Sequence, residues 1–441
     1  MSTTHNARAR ITLIPDLPIC QTDLPLDWYQ DELKPYAEQY LALPDRTPGT
    51  VLPWLDGYVQ PALQHFGPSL LLLAHFYMGG AIVKLVERYG GLVADSYQLA
   101  LQANENPEKT VIVQSAVHFM AEAVAILAHH DQSVWITNPK AGCTMEMLAK
   151  EHMVLPVADQ LIERYGDDLA VVAYMNTSGR IKAIAGRSGG AACTSANAHH
   201  VLANVLARKR RVLFVPDQHL GRNAAAKLQL PPDELYLLPD PGSGSIVIDD
   251  SLPGSLDALD HARIILWNSS CSVHTLFTAE MVQRHRNHGR IVLVHPECRR
   301  PTVESADGSG STRYLWDTVM AAAPGESFAI GTEGNFVRNL AEQARARGIA
   351  VRHLAALPGL AFAGCGCAAM SRNDPPHLAG ILDLLRRGTP PDINLVQPGD
   401  TVDETTMLRD RLDPDDQADL VRDARTALER MIAITNDAGP V

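Results

Sequence analysis

Between Leu70 and Cys367 one pattern of segments occurs three times, and that repetition limits the chain to a small set of architectures. Each unit opens with an apolar run that turns polar at its tip: LLLLAHFY from Leu70, LAVVAYMNTS from Leu169 and IVLVHPEC from Ile291. A small, polar helix start follows: ADSYQLA, CTSANAHHVLANVLA and GSGSTRYLWDTVM. A second run comes next: TVIVQSAVHFM, RVLFVPDQHLGR and SFAIGTEGNFVR. A third ends each unit on a cysteine: SVWITNPKAGC, RIILWNSSC and LAALPGLAFAGCGC. Apolar runs of strand length alternating with helix-length segments predict an α/β fold with parallel sheets. Cys143, Cys271 and Cys367 hold the same place in successive units.

The expected organisation is an N-terminal extension over 1–67, one or two helices packed on the main body, then repeats over 68–150, 151–280 and 281–385, and a C-terminal segment over 386–441. Repeat two carries an insertion, 228–262, with seven acids, no Lys or Arg and many Pro, Gly and Ser. It reads as a surface loop or a short hairpin.

Composition excludes several functions. Of 441 residues 46% are hydrophobic, and a formal net charge of −12 disfavours nucleic acid as a partner. Seven scattered cysteines do not form a disulfide framework, and the start of the chain lacks an apolar signal core. The apolar stretch at Leu70–Ala74 is too short for a bilayer. These features point to the cytoplasm, with no membrane partner. GxxxxGK[ST], GxGxxG and HExxH motifs are absent.

In parallel α/β units ligands gather at the carboxyl ends of strands. Packing around a pseudo-threefold axis brings the three cysteines and the polar tips to one centre. Three thiolates suit a soft metal or an iron–sulfur cluster. With three protein ligands one iron of a [4Fe–4S] cluster stays open for substrate, as in catalytic zinc sites. A lone cysteine is more often a small buried hydrophobe, and Cys20, Cys193, Cys298 and Cys365 read that way. Cys193 and Cys298 sit in segments that line the expected pocket, and Cys365 is close enough to Cys367 to compete as a ligand. His75, His274 and His295 at strand tips suit anion binding or proton transfer. Tyr77 and Glu297 each follow a histidine by two and share its side of an extended segment. Thr194-Ser195 and Ser311-Thr312 read as helix N-caps, whose free amides also suit a phosphate or carboxylate.

Taken in order, AHFY (74–77), GGLVADS (90–96), VHFMAE (117–122), AGC (141–143), YMNTS (174–178), CTSAN (193–197), PDQHLGR (216–222), CSVH (271–274), HPEC (295–298), AD followed by GST (306–312), GTE (331–333) and CAAM (367–370) resemble the quinolinate synthase family of NAD biosynthesis. The resemblance implies three α/β domains around a pseudo-threefold axis and a [4Fe–4S] cluster on Cys143, Cys271 and Cys367. It implies condensation of iminoaspartate with dihydroxyacetone phosphate, with loss of phosphate and water, and a functional link to an L-aspartate oxidase. It makes Tyr77 and Glu297 the acid–base pair. His75, Ser96, Tyr174, Asn176, Ser195, His274, His295, Ser311 and Thr312 then hold carboxylates, phosphate and intermediates. The chain departs from the family pattern at MGGAIVKLV from Met78 and at CAAMSRNDPPHL, where Pro375-Pro376 delay the helix. Near the last ligand the usual C-x-x-C is C-x-C, which disfavours a disulfide. A diverged enzyme of this fold acting on a related imine or triose is one alternative; a non-catalytic metal or redox sensor is another.

Overall fold

The computed structural model describes residues 24–45, 47–78, 80–239, 255–356, 367, 370–402 and 409–439. Three parallel sheets carry the chain. The first contains β1 (Leu70–His75), β2 (Leu92–Ala94), β3 (Val111–Ser115) and β4 (Ser133–Ile136), in spatial order β2-β1-β3-β4. The second contains β5 (Leu169–Tyr174), β6 (Ala191–Cys193), β7 (Arg211–Val215), β8 (Leu235–Leu237) and β9 (Ile264–Leu266), in order β6-β5-β7-β9-β8. The third contains β10 (Ile291–Val294), β11 (Gly308–Ser309), β12 (Ser327–Gly331) and β13 (Ala350–His353), in order β11-β10-β12-β13.

The repeat seen in the sequence is thus a repeat of topology. In each sheet the opening strand is central, the chain crosses first to one side and then to the other, and a crevice opens at the strands' carboxyl ends. Burial explains why the strands read as apolar runs: β5 and β7 are buried at every position, as parallel strands covered on both faces are.

Two expectations change. In unit three the last strand is β13, paired with β12 from Ser327↔Ala350 to Ile330↔His353, and it lies ahead of the run that begins at Leu354. Arg352 interrupts its apolar pattern, as suits an edge strand, and makes it a weaker signal than the longer run Leu354–Cys367, most of which lies outside the described residues. The insertion supplies no hairpin among its described residues. Leu235–Leu237 pairs in parallel with β9 as a fifth strand, from Leu235↔Ile264 to Leu237↔Leu266, and the helix Ser255–His261 returns the chain. Residues 240–254 of the insertion lie outside the described residues.

Helices Lys34–Leu41 and Pro48–Phe66 pack against the helix Pro375–Arg387. Tyr36 donates to Asp383 at 2.7 Å, and a Cβ at Gly380 would sit 2.4 Å from Leu33, so glycine sets this close approach. Pro375 and Pro376 occupy the first turn of their helix, where the missing N–H groups cost nothing, with Asp374 as cap. The C-terminal helix Pro414–Ala438 lies on the helix Gly179–Arg187, at a spacing only Gly186 permits: a Cβ there would meet the Asp423 carbonyl at 1.9 Å. Side chains also join the units. Lys84 pairs with Glu342 at 2.7 Å between units one and three, and Asn223 donates to the carbonyls of Pro296 and Cys298 at 2.7 and 2.8 Å between units two and three. No helix among the described residues is long and apolar enough to cross a membrane.

Candidate functional site

A cavity opens among the strand tips of all three sheets, the usual place for a small-molecule site in parallel α/β units. Every residue singled out above lines it: Tyr77 and Glu297; His75, Ser96, Tyr174, Asn176, Ser195, His274, His295, Ser311 and Thr312; and Cys143, Cys271 and Cys367. Cys193 and Cys298 do not. Both are fully buried in the core, with the Cys298 thiol directed at the Gly331 carbonyl. Cys20 and Cys365 lie outside the described residues. Met78, where the sequence departs from the family pattern, is buried in the core away from the cavity wall.

The three thiols come from three loops and are not paired as disulfides. Burial pushes the Cys143 thiol up, and Cys367 adds to the shift. Burial likewise raises Cys271, followed by Glu297 and Cys143. Crowded, desolvated thiols of this kind become thiolates only with a cation among them. Among the described residues no Lys or Arg lines the cavity to supply one. Three thiols lining one cavity suit a soft metal centre or an iron–sulfur cluster. The Asn176 amide donates toward the Cys143 sulfur at 3.9 Å, as expected beside a sulfur ligand.

Beside the thiols runs a continuous polar chain. The Tyr174 hydroxyl donates to Glu297 Oε1 at 2.5 Å. Glu297 Oε2 lies 2.7 Å from His274 Nδ1, and His274 Nε2 lies 3.0 Å from Thr332 Oγ1. Thr332 Oγ1 in turn sits 3.0 Å from the Tyr77 hydroxyl. Burial opposes a charge on Glu297, but His274, His295 and the Tyr174 hydroxyl outweigh it and hold the carboxyl at about 2. Burial and the Glu297 charge push the Tyr77 and Tyr174 phenols well above their usual value. The chain therefore holds one fixed negative charge, with protonated phenols at both ends.

His75 and His295 serve as neutral donors. The backbone N–H of Tyr77 donates to His75 Nδ1 at 3.1 Å, and that of Glu297 to His295 Nδ1 at 3.4 Å. The proton of each ring is then on Nε2. Burial lowers both imidazoles to about 3. His75 Nε2 faces Ser96 Oγ at 3.5 Å.

Each unit also directs a helix N-terminus at the cavity: Ser96–Glu105, Ala198–Leu206 and Thr312–Ala321. Ser311 caps the third, accepting from the Tyr314 N–H at 3.3 Å. Thr194 and Ser195 are not caps. Asn197 occupies that position and turns its Oδ1 back to the Thr194 N–H at 2.6 Å, which leaves Ser195 facing the cavity. Free amides and hydroxyls at three helix starts suit a phosphate and carboxylates.

Three further residues escaped sequence reasoning. Thr332 bridges Tyr77 and His274, and Asp217 and Glu333 each accept a cysteine backbone N–H. Asp217 and Glu333 each cap a helix, accepting from the Leu220 and Phe336 N–H groups. Burial, then the Glu297 charge, raises the Asp217 carboxyl well above the usual range, and burial lifts Glu333 to about 7.

The chain is similar to known proteins over most of its length. The family model described as Quinolinate synthetase A protein matches residues 63–433. Quinolinate synthase of Bacillus velezensis is 38% identical over 327 residues, 74% of this chain and 83% of its own. That of Corynebacterium glutamicum is 34% identical over 93% of this chain and 95% of its own. The Streptomyces coelicolor enzyme is 35% identical over 95% and 98%. With that coverage, and with its strand tips and thiols gathered in one cavity, the chain belongs to the quinolinate synthase family of NAD-biosynthetic enzymes.

Proposed function

We propose that the chain condenses iminoaspartate with dihydroxyacetone phosphate to form quinolinate, phosphate and two waters, in the cytoplasm, drawing iminoaspartate from an L-aspartate oxidase. The supporting observation is that Tyr174, Glu297, His274 and Tyr77, in a chain of polar contacts completed by Thr332, line a single cavity with the three thiols. Cys143, Cys271 and Cys367 would hold a [4Fe–4S] cluster, which supplies a Lewis acid for a substrate hydroxyl or carboxylate through its open iron.

The protein's own groups account for the remaining work. Enolisation and water loss need a proton donor and acceptor that can exchange roles. Tyr77 is the mobile donor, and His274 takes or returns its proton through Thr332. Glu297 holds His274 in register and stabilises its cation, while the Tyr174 hydroxyl fixes the carboxylate. His75 and His295, kept neutral, offer Nε2–H groups to substrate oxygens without adding charge. Ser96, Ser195, Ser311 and Thr312 hold the phosphate and carboxylates at the helix starts, and Asn176 orients the Cys143 side.

One observation favours a second reading. The ligand atoms of Cys271, His274 and Glu297 lie within 4.8 Å of one another, a group able to bind a single metal ion. A sensor of zinc or iron would use it. In the structure His274 and Glu297 are engaged with Thr332 and Tyr174, which favours the proton-transfer role. Metal analysis of anaerobically purified protein separates the two. About four iron and four sulfide per chain support the cluster; one zinc without sulfide supports the sensor.

A further inference from the structure

Two buried acids, at matching places in units two and three, each join a helix start to the backbone of a cluster cysteine. Asp217 lies two residues beyond the end of β7 and caps the helix Gln218–Lys227. Its Oδ1 accepts the Leu220 N–H at 2.7 Å and its Oδ2 the Cys271 N–H at 3.0 Å. Glu333 lies two residues beyond β12 and caps the helix Gly334–Arg345. Its Oε2 accepts the Phe336 N–H at 2.9 Å and its Oε1 the Cys367 N–H at 2.8 Å. Both residues are buried, at 0% and 1% exposure, so each N–H depends on its carboxyl partner.

In unit one the matching residue is Val117, which has no acceptor. There the connection is made by backbone alone: the His118 N–H at the helix start donates to the Ala141 carbonyl at 3.0 Å, two residues before Cys143. All three cysteine loops are thus tied to the helix that follows the third strand of their own unit, β3, β7 or β12. In two of them the tie needs a side chain with two acceptor oxygens.

We propose that Asp217 and Glu333 are positioning residues that preset Cys271 and Cys367 for the cluster, beyond their part in capping. The inference rests on the reading of those cysteines as cluster ligands. A plain cap needs one acceptor; the tie needs two. Asp217→Ser separates the functions, because a serine hydroxyl caps as well as an aspartate but has no second oxygen for the Cys271 N–H. Glu333→Gln makes the same cut differently, since an amide turns its NH2 toward one of the two N–H groups.

The test uses full-length protein purified anaerobically, with thermal melting, the visible absorption of the cluster and the rate of iron transfer to a ferrous chelator. Leaving one buried N–H without its acceptor predicts iron release roughly tenfold faster. The variants should melt near the wild type. Release at the wild-type rate in both variants, or in the one that folds, overturns the proposal. So does faster release that only tracks lost thermal stability. Wild-type protein that holds no iron and sulfide removes the cluster reading itself, and this inference with it.

Discussion

Replacing Glu297 by glutamine tests the polar chain at its only charged member. Glu297 is 2% exposed, accepts from Tyr174 at 2.5 Å and faces His274 Nδ1 at 2.7 Å. An amide can keep one of these partners, and its NH2 then confronts a donor at the other. Losing a buried hydrogen bond to a charged group costs about 1.5–3 kcal/mol, which lowers the melting temperature without unfolding a chain of this size. No thiol is touched, so iron and sulfide should remain. His274 loses the carboxylate that stabilises its cation, and turnover should fall by about 10² to 10⁴. Glu297 stays ionised down to about 2, so its own titration should not appear in a pH–rate profile at milder pH. The assay is quinolinate formation under anaerobic conditions, with iron counted on the same sample. Full activity would remove Glu297 from acid–base chemistry, and loss of iron in step with activity would make it a structural residue.

Thr332→Val keeps the shape but removes the hydroxyl between Tyr77 and His274; kcat should drop at least tenfold with iron content unchanged, and equal kcat would break the proposed relay. Cys271→Ser should cripple cluster assembly while Cys193→Ser, in the core, leaves iron and sulfide intact; the reverse pattern would reassign the central ligand. His75 is lowered to about 3 when folded and lies near 6.5 when unfolded, so the unfolded chain binds the extra proton between these values. Its contribution to stability is complete above pH 6.5 and is lost as pH falls toward 3. In denaturant titrations His75→Asn should therefore reduce the slope of stability against pH by about 1.4 kcal/mol per unit in that window, and an unchanged slope would contradict the burial argument.

The repeated strands and their polar tips were legible because both are local. A buried parallel strand reads as an apolar run, and the residue that ends it must tolerate a cavity. That was enough to bring His75, Tyr174, His295 and the three cysteines to one place. What escaped depended on contacts across units. Thr332 looks like any residue between β12 and a helix until the end of β12 meets the loop after β1 and the His274 turn. Asp217 and Glu333 carry an obvious capping signal, which hides their second acceptor. Ser195 resembled a cap because the sequence does not reveal that Asn197 holds that position. Strand β8 was missed since Leu235–Leu237 is short, half-buried and set among prolines and acids, and only pairing with β9 makes it a strand.

The most direct test of the account is quinolinate formation from iminoaspartate and dihydroxyacetone phosphate by anaerobically purified protein, with iron and sulfide counted on the same sample. The account predicts product in a sample carrying about four iron and four sulfide per chain. A full cluster with no product would contradict it, and would show that this cavity serves a different substrate.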